Sequence, residues 1–577
     1  MSINRKIKLV KFIFITIFWG FVVYVFLLQT VHSKKYEQMA VSQHGVSIPL
    51  LAERGKILDQ YHRPLVYNQL CASIRILPQY VRESSRDSVA KLLASYNLKP
   101  HSEIINELIT KKNLYWFKKY IDYETACSLK QQLHKRKFDN SIIVVDDIKR
   151  IYPFGATLAS VTGFIGDEKG LAGLEFSYDT ILKGTEGWML LQKDATGNNY
   201  AWPSYPTQKP INGNDLVLTI NLDIQDIVYR ELEKTVNDFQ ALSGHIIVLD
   251  ASDGAVLALA DYPDYDPQNF KNSSSKLWTA VSVSDEFEPG SVYKLVICAA
   301  ALEAPNRKTL LAQKYDVSNG FITVSGRKIK DVHNNGVVDF DNIFVKSSNI
   351  GVTMLSQNLS ATDFYLKQRE FGFGLPTGIE LPGEANGFID RPTSITPLRF
   401  ANIAFGQGLR ATLLQLSMAY LTVAHNGELL KPYLVKEIRQ NHKVLYNGKK
   451  TVVRRVFSEA DAQIMKEILA SVVTDGTGRA ASLHESQVCG KTGTAQKIEP
   501  DGKYSATKSV MTFIGFFPKD NPRYLISVMI DEPKKSRFAG EVTCPLFKTI
   551  AQKILYLEKP NHNHNHHLLT YAGPSTN

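Results

Sequence analysis

The longest uncharged apolar stretch in the sequence occupies residues 12–28, seventeen positions in a row. With Leu9 and Val10, and with Lys11 snorkelling, it approaches the roughly 20 residues a helix needs to cross a bilayer. Residues 9–29 are therefore expected to form a transmembrane anchor, and residues 1–8 a short tail before it. Gln29, Thr30, Val31 and His32 follow the run where a signal peptide would place small residues, which favours an uncleaved anchor. No second run of this length appears, so a single crossing is expected.

Downstream the pattern changes to shorter periods. Residues 30–50 read as a linker. Residues 101–119 and 125–137 carry helical spacing, while 141–145 read as a strand. Pro206, Pro210 and two Asn/Gly turns mark 204–214 as a boundary. Beyond it, 216–220 reads as a strand and 223–237 as a helix with Asp223 as its cap. Residues 243–250 and 255–260 read as strands joined through Asp253-Gly254. Three further strands are expected at 487–496, 509–517 and 524–530. An amphipathic helix over 545–557 follows, with Leu546, Ile550 and Ile554 on one stripe. Two early strands, three late ones and a helical region between them imply an antiparallel five-stranded sheet flanked by helices. The fold class is α+β. The expected domains are a mixed α+β region at 51–205, the sheet domain at 206–557 and a polar tail at 558–577.

Composition adds bounds. The chain has 577 residues, 44% hydrophobic and 21% charged, which is a folded composition with room for two or three domains. The net charge of +11 is spread along the chain except for Arg5, Lys6, Lys8 and Lys11 before the apolar run. That cluster predicts a cytoplasmic N-terminus with everything after the span outside, so any chemistry there proceeds without ATP. No nucleic-acid module is present. Cys71, Cys127, Cys298, Cys489 and Cys544 lack any C-x-x-C spacing, which gives no zinc pattern and no disulfide scaffold; a single disulfide stays open. Cys298 and Cys489 sit among apolar neighbours and are expected to be buried. The tail's NHNHNHH run suggests weak metal binding at most, and a disordered end is the simpler reading. No metal or cofactor is expected.

Three short elements carry candidate chemistry. In Phe287-Glu288-Pro289-Gly290-Ser291-Val292-Tyr293-Lys294 a Pro-Gly loop runs into an apolar helix. Ser291 opens that helix and Lys294 lies about one turn on, on the same face. A serine hydroxyl needs a base to become a nucleophile, and a neutral lysine serves; burial or a second cation would depress its pKa. The helix N-terminus offers N–H groups to an oxyanion. Ser88, Ser273, Ser325 and Ser505 also have Lys three positions later, so Ser291 is distinguished by its setting. The second element, Lys346-Ser347-Ser348-Asn349, presents a hydroxyl able to relay a proton and an amide able to bind a peptide carbonyl; a polar helix cap is the alternative. The third, Gly490-Lys491-Thr492-Gly493-Thr494, is expected within a strand. Its glycines suggest close approach by another backbone, such as a substrate peptide along the edge. Lys491, Thr492 and Thr494 suit a carboxylate.

The order Ser-x-x-Lys, Ser-x-Asn, Lys-Thr-Gly resembles that of penicillin-binding proteins and class A β-lactamases. Over nearly the whole chain the sequence resembles the class B penicillin-binding proteins, most of all the FtsI-type septal peptidoglycan transpeptidases. Further resemblances are Arg54-Gly55-Lys56-Ile57-Leu58-Asp59, Arg150 with Tyr152-Pro153 and Gly155, Gly173-Leu174-Glu175, and Gly213-Asn214-Asp215 leading to Asp223-Ile224-Gln225. So are Phe371-Gly372-Phe373-Gly374, Thr377-Gly378, Leu381-Pro382-Gly383-Glu384, Phe405-Gly406-Gln407-Gly408 and Asp475-Gly476-Thr477-Gly478. The resemblance implies an elongated dimerisation-type pedestal at 51–205 carrying a serine β-lactamase-like transpeptidase domain. Ser291 would attack the D-Ala-D-Ala carbonyl of a donor stem peptide, with Lys294 as base, Ser347 as relay and Asn349 as substrate ligand. Lys491, Thr492, Gly493 and Thr494 would hold the terminal carboxylate. The N–H groups of Ser291 and Thr494 would form the oxyanion hole, and a neighbouring stem amine would resolve the acyl-enzyme. It also implies β-lactams as ligands and an FtsW-type lipid II polymerase and divisome proteins as partners in the bacterial cytoplasmic membrane. An elongation-type enzyme, a D,D-carboxypeptidase or β-lactamase, and a non-turnover sensor or scaffold are the alternatives. Gln60-Tyr61-His62 replaces the family's Arg-Asn-Gly, and Thr412-Leu413-Leu414-Gln415 lacks its proline.

Overall fold

The computed structural model describes residues 3–36, 39, 45–166, 169–193, 199–201, 207–441 and 443–559. The His-rich run of the tail lies outside them. The chain divides into two units, residues 1–54 with 183–213, and residues 55–182 with 214–577.

In the first unit the apolar run forms a helix, Ile3–Thr30, with no buried residue, the one described helix long and apolar enough to cross a membrane. The unit also holds a small sheet in which Gly45–Leu50 pairs antiparallel with Gly187–Lys193.

The second unit begins with a three-stranded arrangement in which Pro64–Ile76 pairs with both Tyr115–Ile121 and Ile142–Ile151. Helices Arg86–Ser95, His101–Thr110 and Tyr123–Lys135 cover one face. Ile74, Ile76, Leu93, Ile104, Phe117 and Leu129 share their core. The helix expected over 101–119 stops at Thr110; Tyr115 to Ile121 is a strand. Tyr115, Phe117 and the residues between alternate in burial, so aromatic period-two packing overrides the helical spacing. A seven-stranded sheet joins these strands through Ile57–Leu58 to Asp215–Leu218, Val435–Gln440 and Lys443–Asn447. At the Gln60-Tyr61-His62 departure, buried Asp59 closes the turn by accepting from the amides of Tyr61 (2.9 Å) and Arg63 (2.8 Å). His62 takes the positive φ (64°) there.

The region that carries the three motifs starts with helix Leu222–Phe239. Its cap is Asn221, which accepts from the amides of Asp223 and Ile224, not Asp223 as expected. Strands β1 (Ser243–Asp250) and β2 (Val256–Tyr262) follow, then helix α1 (Lys294–Leu302), entered through a single 3₁₀ turn, Gly290–Tyr293. Next come hairpin strands β3 (Phe321–Val324) and β4 (Arg327–Lys330), and helices α2 (Phe340–Val345), α3 (Asn349–Ser356), α4 (Leu413–Ala424) and α5 (Glu459–Thr474). Strands β5 (Cys489–Ile498), β6 (Tyr504–Phe517) and β7 (Tyr524–Asp531) and helix α6 (Ala539–Leu557) complete it. Helix α6 starts six residues before Pro545, which the expected boundary took as its beginning.

The five strands form one antiparallel sheet in the order β2-β1-β7-β6-β5. Both faces are covered, so its inner strands are apolar at successive positions instead of alternating. Ile246, Val248, Phe513, Val528 and Ile530 pack with helix 222–239 and α6. Ile247, Leu249, Ile514, Leu525 and Met529 pack with α1 and α4 on the other side. Strand β5 is an edge, with one side of its backbone ladder unpaired among the described residues. All five cysteines are free, and Cys298 and Cys489 are buried as expected.

Candidate active site

The turn carrying Ser291 is gripped from two sides. Phe287 and Ala411 exchange backbone hydrogen bonds (3.1 and 3.0 Å), and the Gly290 amide donates to the Gly406 carbonyl at 2.9 Å. Gly406 has φ +87°, and a Cβ there would lie 2.0 Å from the Gly290 carbonyl oxygen, so no side chain fits. Glu288 accepts from the Gly408 amide at 2.7 Å; its burial raises the carboxyl pKa. Within the turn, the Val292 carbonyl accepts from Tyr420 Oη of α4 (2.8 Å), and Tyr293 Oη donates to Gln368 (2.9 Å). The backbone of the Ser291 turn is thereby fixed from several elements. Ser291 is half-buried, and its side chain has no hydrogen-bond partner among the described residues, Lys294 and Lys491 included.

Lys294 is 1% exposed. Its Nζ donates to the Ser347 carbonyl (2.6 Å) and to Asn349 Oδ1 (2.8 Å), and lies 3.3 Å from Ser347 Oγ. Burial depresses its pKa well below the usual lysine value, and the charge of Lys491 adds to this, while Asp331 opposes it. A neutral amine keeps two donors for the carbonyl and the amide and turns its lone pair to a hydroxyl. The expected trio of Lys294, Ser347 and Asn349 is thus brought together.

Ser347 sits in the loop between α2 and α3 with φ +56°, an uncommon region for a residue with a side chain. Asp331 holds this loop. Its carboxylate accepts from Ser348 Oγ (2.6 Å), the Asn349 amide (2.6 Å) and the Ile350 amide (3.0 Å). Ser348 caps α3 by accepting from the Gly351 amide at 2.9 Å. Asp331 was not among the sequence candidates. It lies outside every short motif, and only the fold brings it to the helix N-terminus, where two free amides await an anion.

On the other side stands β5. Lys491 is 2% exposed, and burial pushes its pKa down to about 7. Its Nζ is 3.3 Å from the Thr492 carbonyl oxygen. Lys294 and Lys491 line one small cavity of about 10 Å³ with Cys298, Phe344, Tyr420 and Met465. Thr492 Oγ1 pairs with Thr477 Oγ1 at 2.6 Å, which gives the Asp475–Gly478 motif a role beside the strand. Thr494 is exposed. The glycines were expected to allow close approach by another backbone, and at Gly493 the Pro289 carbonyl of the protein itself makes such an approach. A Cβ there would lie 2.3 Å from Thr512 Oγ1, 3.0 Å from Val292 Cγ1 and 3.1 Å from the Pro289 carbonyl oxygen. The glycine lets β5 press against the turn that bears Ser291. Among the described residues no group of three His, Cys, Asp or Glu side chains is placed to hold a metal.

Comparison with known proteins agrees with this geometry. Residues 244–552 match the penicillin binding protein transpeptidase domain family, and residues 49–218 the penicillin-binding protein dimerisation domain family. The chain is 33% identical, over 95% of its length and 92% of the relative's, to the probable peptidoglycan D,D-transpeptidase PenA of Neisseria meningitidis. It is 30% identical to stage V sporulation protein D of Bacillus subtilis, over 92% of this chain and 82% of that one. It is also 30% identical to the peptidoglycan D,D-transpeptidase FtsI of Buchnera aphidicola, over 88% and 87%. The crystal structure of penicillin binding protein 3 from Mycobacterium tuberculosis complexed with aztreonam superposes with a TM-score of 0.68 at 28% identity. It covers 89% of this chain and 97% of that one. Penicillin binding protein 2X from Streptococcus thermophilus shares the fold, with a TM-score of 0.74 at 22% identity over 89% and 80%. With the serine, lysine and amide clusters in place and both domain families matched, the chain belongs to the class B penicillin-binding proteins, a family of serine acyltransferases.

Proposed function

We propose that this protein is a peptidoglycan D,D-transpeptidase that cross-links stem peptides through an acyl-enzyme on Ser291. The observation that carries the reading is the buried Lys294 amine, held between the Ser347 loop and Asn349 one turn after a serine whose hydroxyl is unengaged. Lys294, its pKa lowered, takes the serine proton as Oγ attacks the penultimate D-alanyl carbonyl. The amides of Ser291 and Thr494 receive the oxyanion. Ser347 passes the proton to the departing D-alanine amine. Asn349 binds the donor's amide, and Lys491, Thr492 and Thr494, on the strand that Gly493 lets close, hold the terminal carboxylate. β-Lactams acylate the same serine.

The basic residues before the apolar helix support an N-terminus in the cytoplasm and a catalytic domain outside the cytoplasmic membrane. The motif resemblance to FtsI-type enzymes favours work at the division septum beside an FtsW-type polymerase, and the two matched domain families support a pedestal at 51–205 and a transpeptidase domain at 206–557. Incubation with a pentapeptide donor and an amine acceptor tests the chemistry: cross-linked product with release of D-alanine is expected, and exclusive free acid rejects transpeptidation. Depletion tests the setting, with filaments expected for a septal enzyme and rounded cells for an elongation enzyme.

A further inference from the structure

The β3–β4 hairpin is bound directly to the catalytic loop. Asn349 Nδ2 donates to the Lys330 carbonyl at 3.2 Å, and Asp331, the next residue, accepts from the amides of Asn349 and Ile350. In register, Phe321 faces Lys330 and Thr323 faces Lys328. The alternate row, Ile322 and Ile329, packs against the core. Phe321, Thr323, Lys328 and Lys330 therefore share the outward face, and all four are exposed. Lys328 Nζ lies 4.2 Å from the Phe321 ring centroid. Arg327 at the turn and Lys346, immediately before Ser347, are exposed as well. None of these four cations has an ion-pair partner among the described residues.

The chemistry of the second half-reaction says what such a face meets, granted the transpeptidase reading above. The acceptor amine attacks the ester carbonyl carbon, a C–N bond forms and the C–Oγ bond of Ser291 breaks. The amine's proton passes through Ser347 and Lys294 to Ser291 Oγ. By microscopic reversibility the incoming amine occupies the place the departing D-alanine amine left, next to Ser347. The rest of the acceptor then extends past the segments flanking Ser347, namely Lys346 and the hairpin tied to Asn349. We propose that the outward face of the hairpin, Lys328 and Lys330 with Phe321 and joined by Lys346, is the acceptor subsite and selects an acidic peptide through its carboxylates. The buried Lys294 and Lys491 are committed to the serine and the donor, whereas these cations are free to meet a second chain.

The test uses the full-length chain in detergent and the double variant Lys328→Glu/Lys330→Glu. Both are given the same pentapeptide donor and two synthetic acceptors, a stem tetrapeptide with free carboxylates and its fully amidated form. Reversing two exposed charges raises the KM for the carboxylated acceptor by about fivefold or more at low salt, and the difference shrinks as salt screens it. The KM for the amidated acceptor stays within about twofold, since no charge is there to repel. Fluorescent-penicillin acylation, which involves no acceptor, reports whether the serine site is intact. Equal shifts for both acceptors, no shift for either, or loss of acylation in step with transfer overturns the proposal and leaves the hairpin as a support for the loop. Failure of the wild-type chain to transfer to either acceptor overturns the transpeptidase reading and this one with it, a result distinguished by the wild-type control alone.

Discussion

Replacing Lys491 by methionine should make the protein more stable. The side chain is 2% exposed and its pKa has fallen from 10.5 to about 7 because burial removes water from the ammonium. Above pH 10.5 the lysine is neutral in both the folded and unfolded chain. Between about 7 and 10.5 the unfolded chain holds the proton and the folded one does not, so stability rises with pH across that window. Below about 7 both are protonated and the cost of burying the charge is fully present. At about 1.4 kcal/mol per pH unit the displacement corresponds to a cost of about 5 kcal/mol. The cavity that Lys491 lines includes Ile468, Leu469 and Met465, so a methionine of similar length meets apolar partners. Chemical denaturation of wild type and Lys491→Met at matched pH reads the effect together with the smaller relief that loss of the Lys491 charge gives the buried Lys294 ammonium, which acts in the same direction. The variant should be more stable by about 2–5 kcal/mol at pH 6, with the gap closing to about 1 kcal/mol by pH 10. It should also be acylated by penicillin more slowly for want of a carboxylate anchor. A variant no more stable at pH 6, or a gap that does not narrow with pH, would refute the claim that this lysine is kept at the expense of the fold.

Other outcomes follow from the same geometry. Asp331→Ala removes the acceptor of three hydrogen bonds to the Ser347 loop; it should cost about 2–4 kcal/mol of stability and slow penicillin acylation by about 100-fold, and a rate within twofold of wild type would contradict its positioning role. Gly493→Ala should slow acylation at least tenfold or so, because the new methyl meets Thr512 and the Ser291 turn, and adding Thr512→Ala should restore part of the loss. Thr477→Val leaves Thr492 Oγ1 without its 2.6 Å partner and should raise the donor KM more than it lowers kcat, which initial-rate kinetics with a peptide donor will resolve.

Much of the sheet was legible in the chain, because its strands are apolar runs bounded by turn residues: the expected 243–250 is Ser243–Asp250, and 524–530 ends one residue short. The three motifs were readable for a different reason, since each is a local arrangement whose chemistry depends on neighbours a few residues away. What stayed hidden is set by distant partners. Asp331 acts on residues about seventeen positions on, Tyr420 reaches back to Val292, and Gly406 is required only because the Gly290 turn folds onto it. The neighbours that require Gly493, Thr512 and Pro289, were hidden in the same way, since only the fold brings them to the strand. Local signals also competed. Tyr115 to Ile121 carry enough aromatic character to pair with the strand 64–76 in spite of a helical spacing, and Asn221 won the cap from Asp223 by lying one step ahead of the first turn.

The claim on which the rest depends is that the hydroxyl of Ser291, served by Lys294, forms the covalent intermediate. Mass spectrometry of the proteolysed protein after incubation with benzylpenicillin reads this directly. The penicilloyl adduct should lie on the peptide containing Ser291 in wild type, be absent in Ser291→Ala and persist in Ser273→Ala. An adduct on any other serine, or one that survives Ser291→Ala, would contradict it.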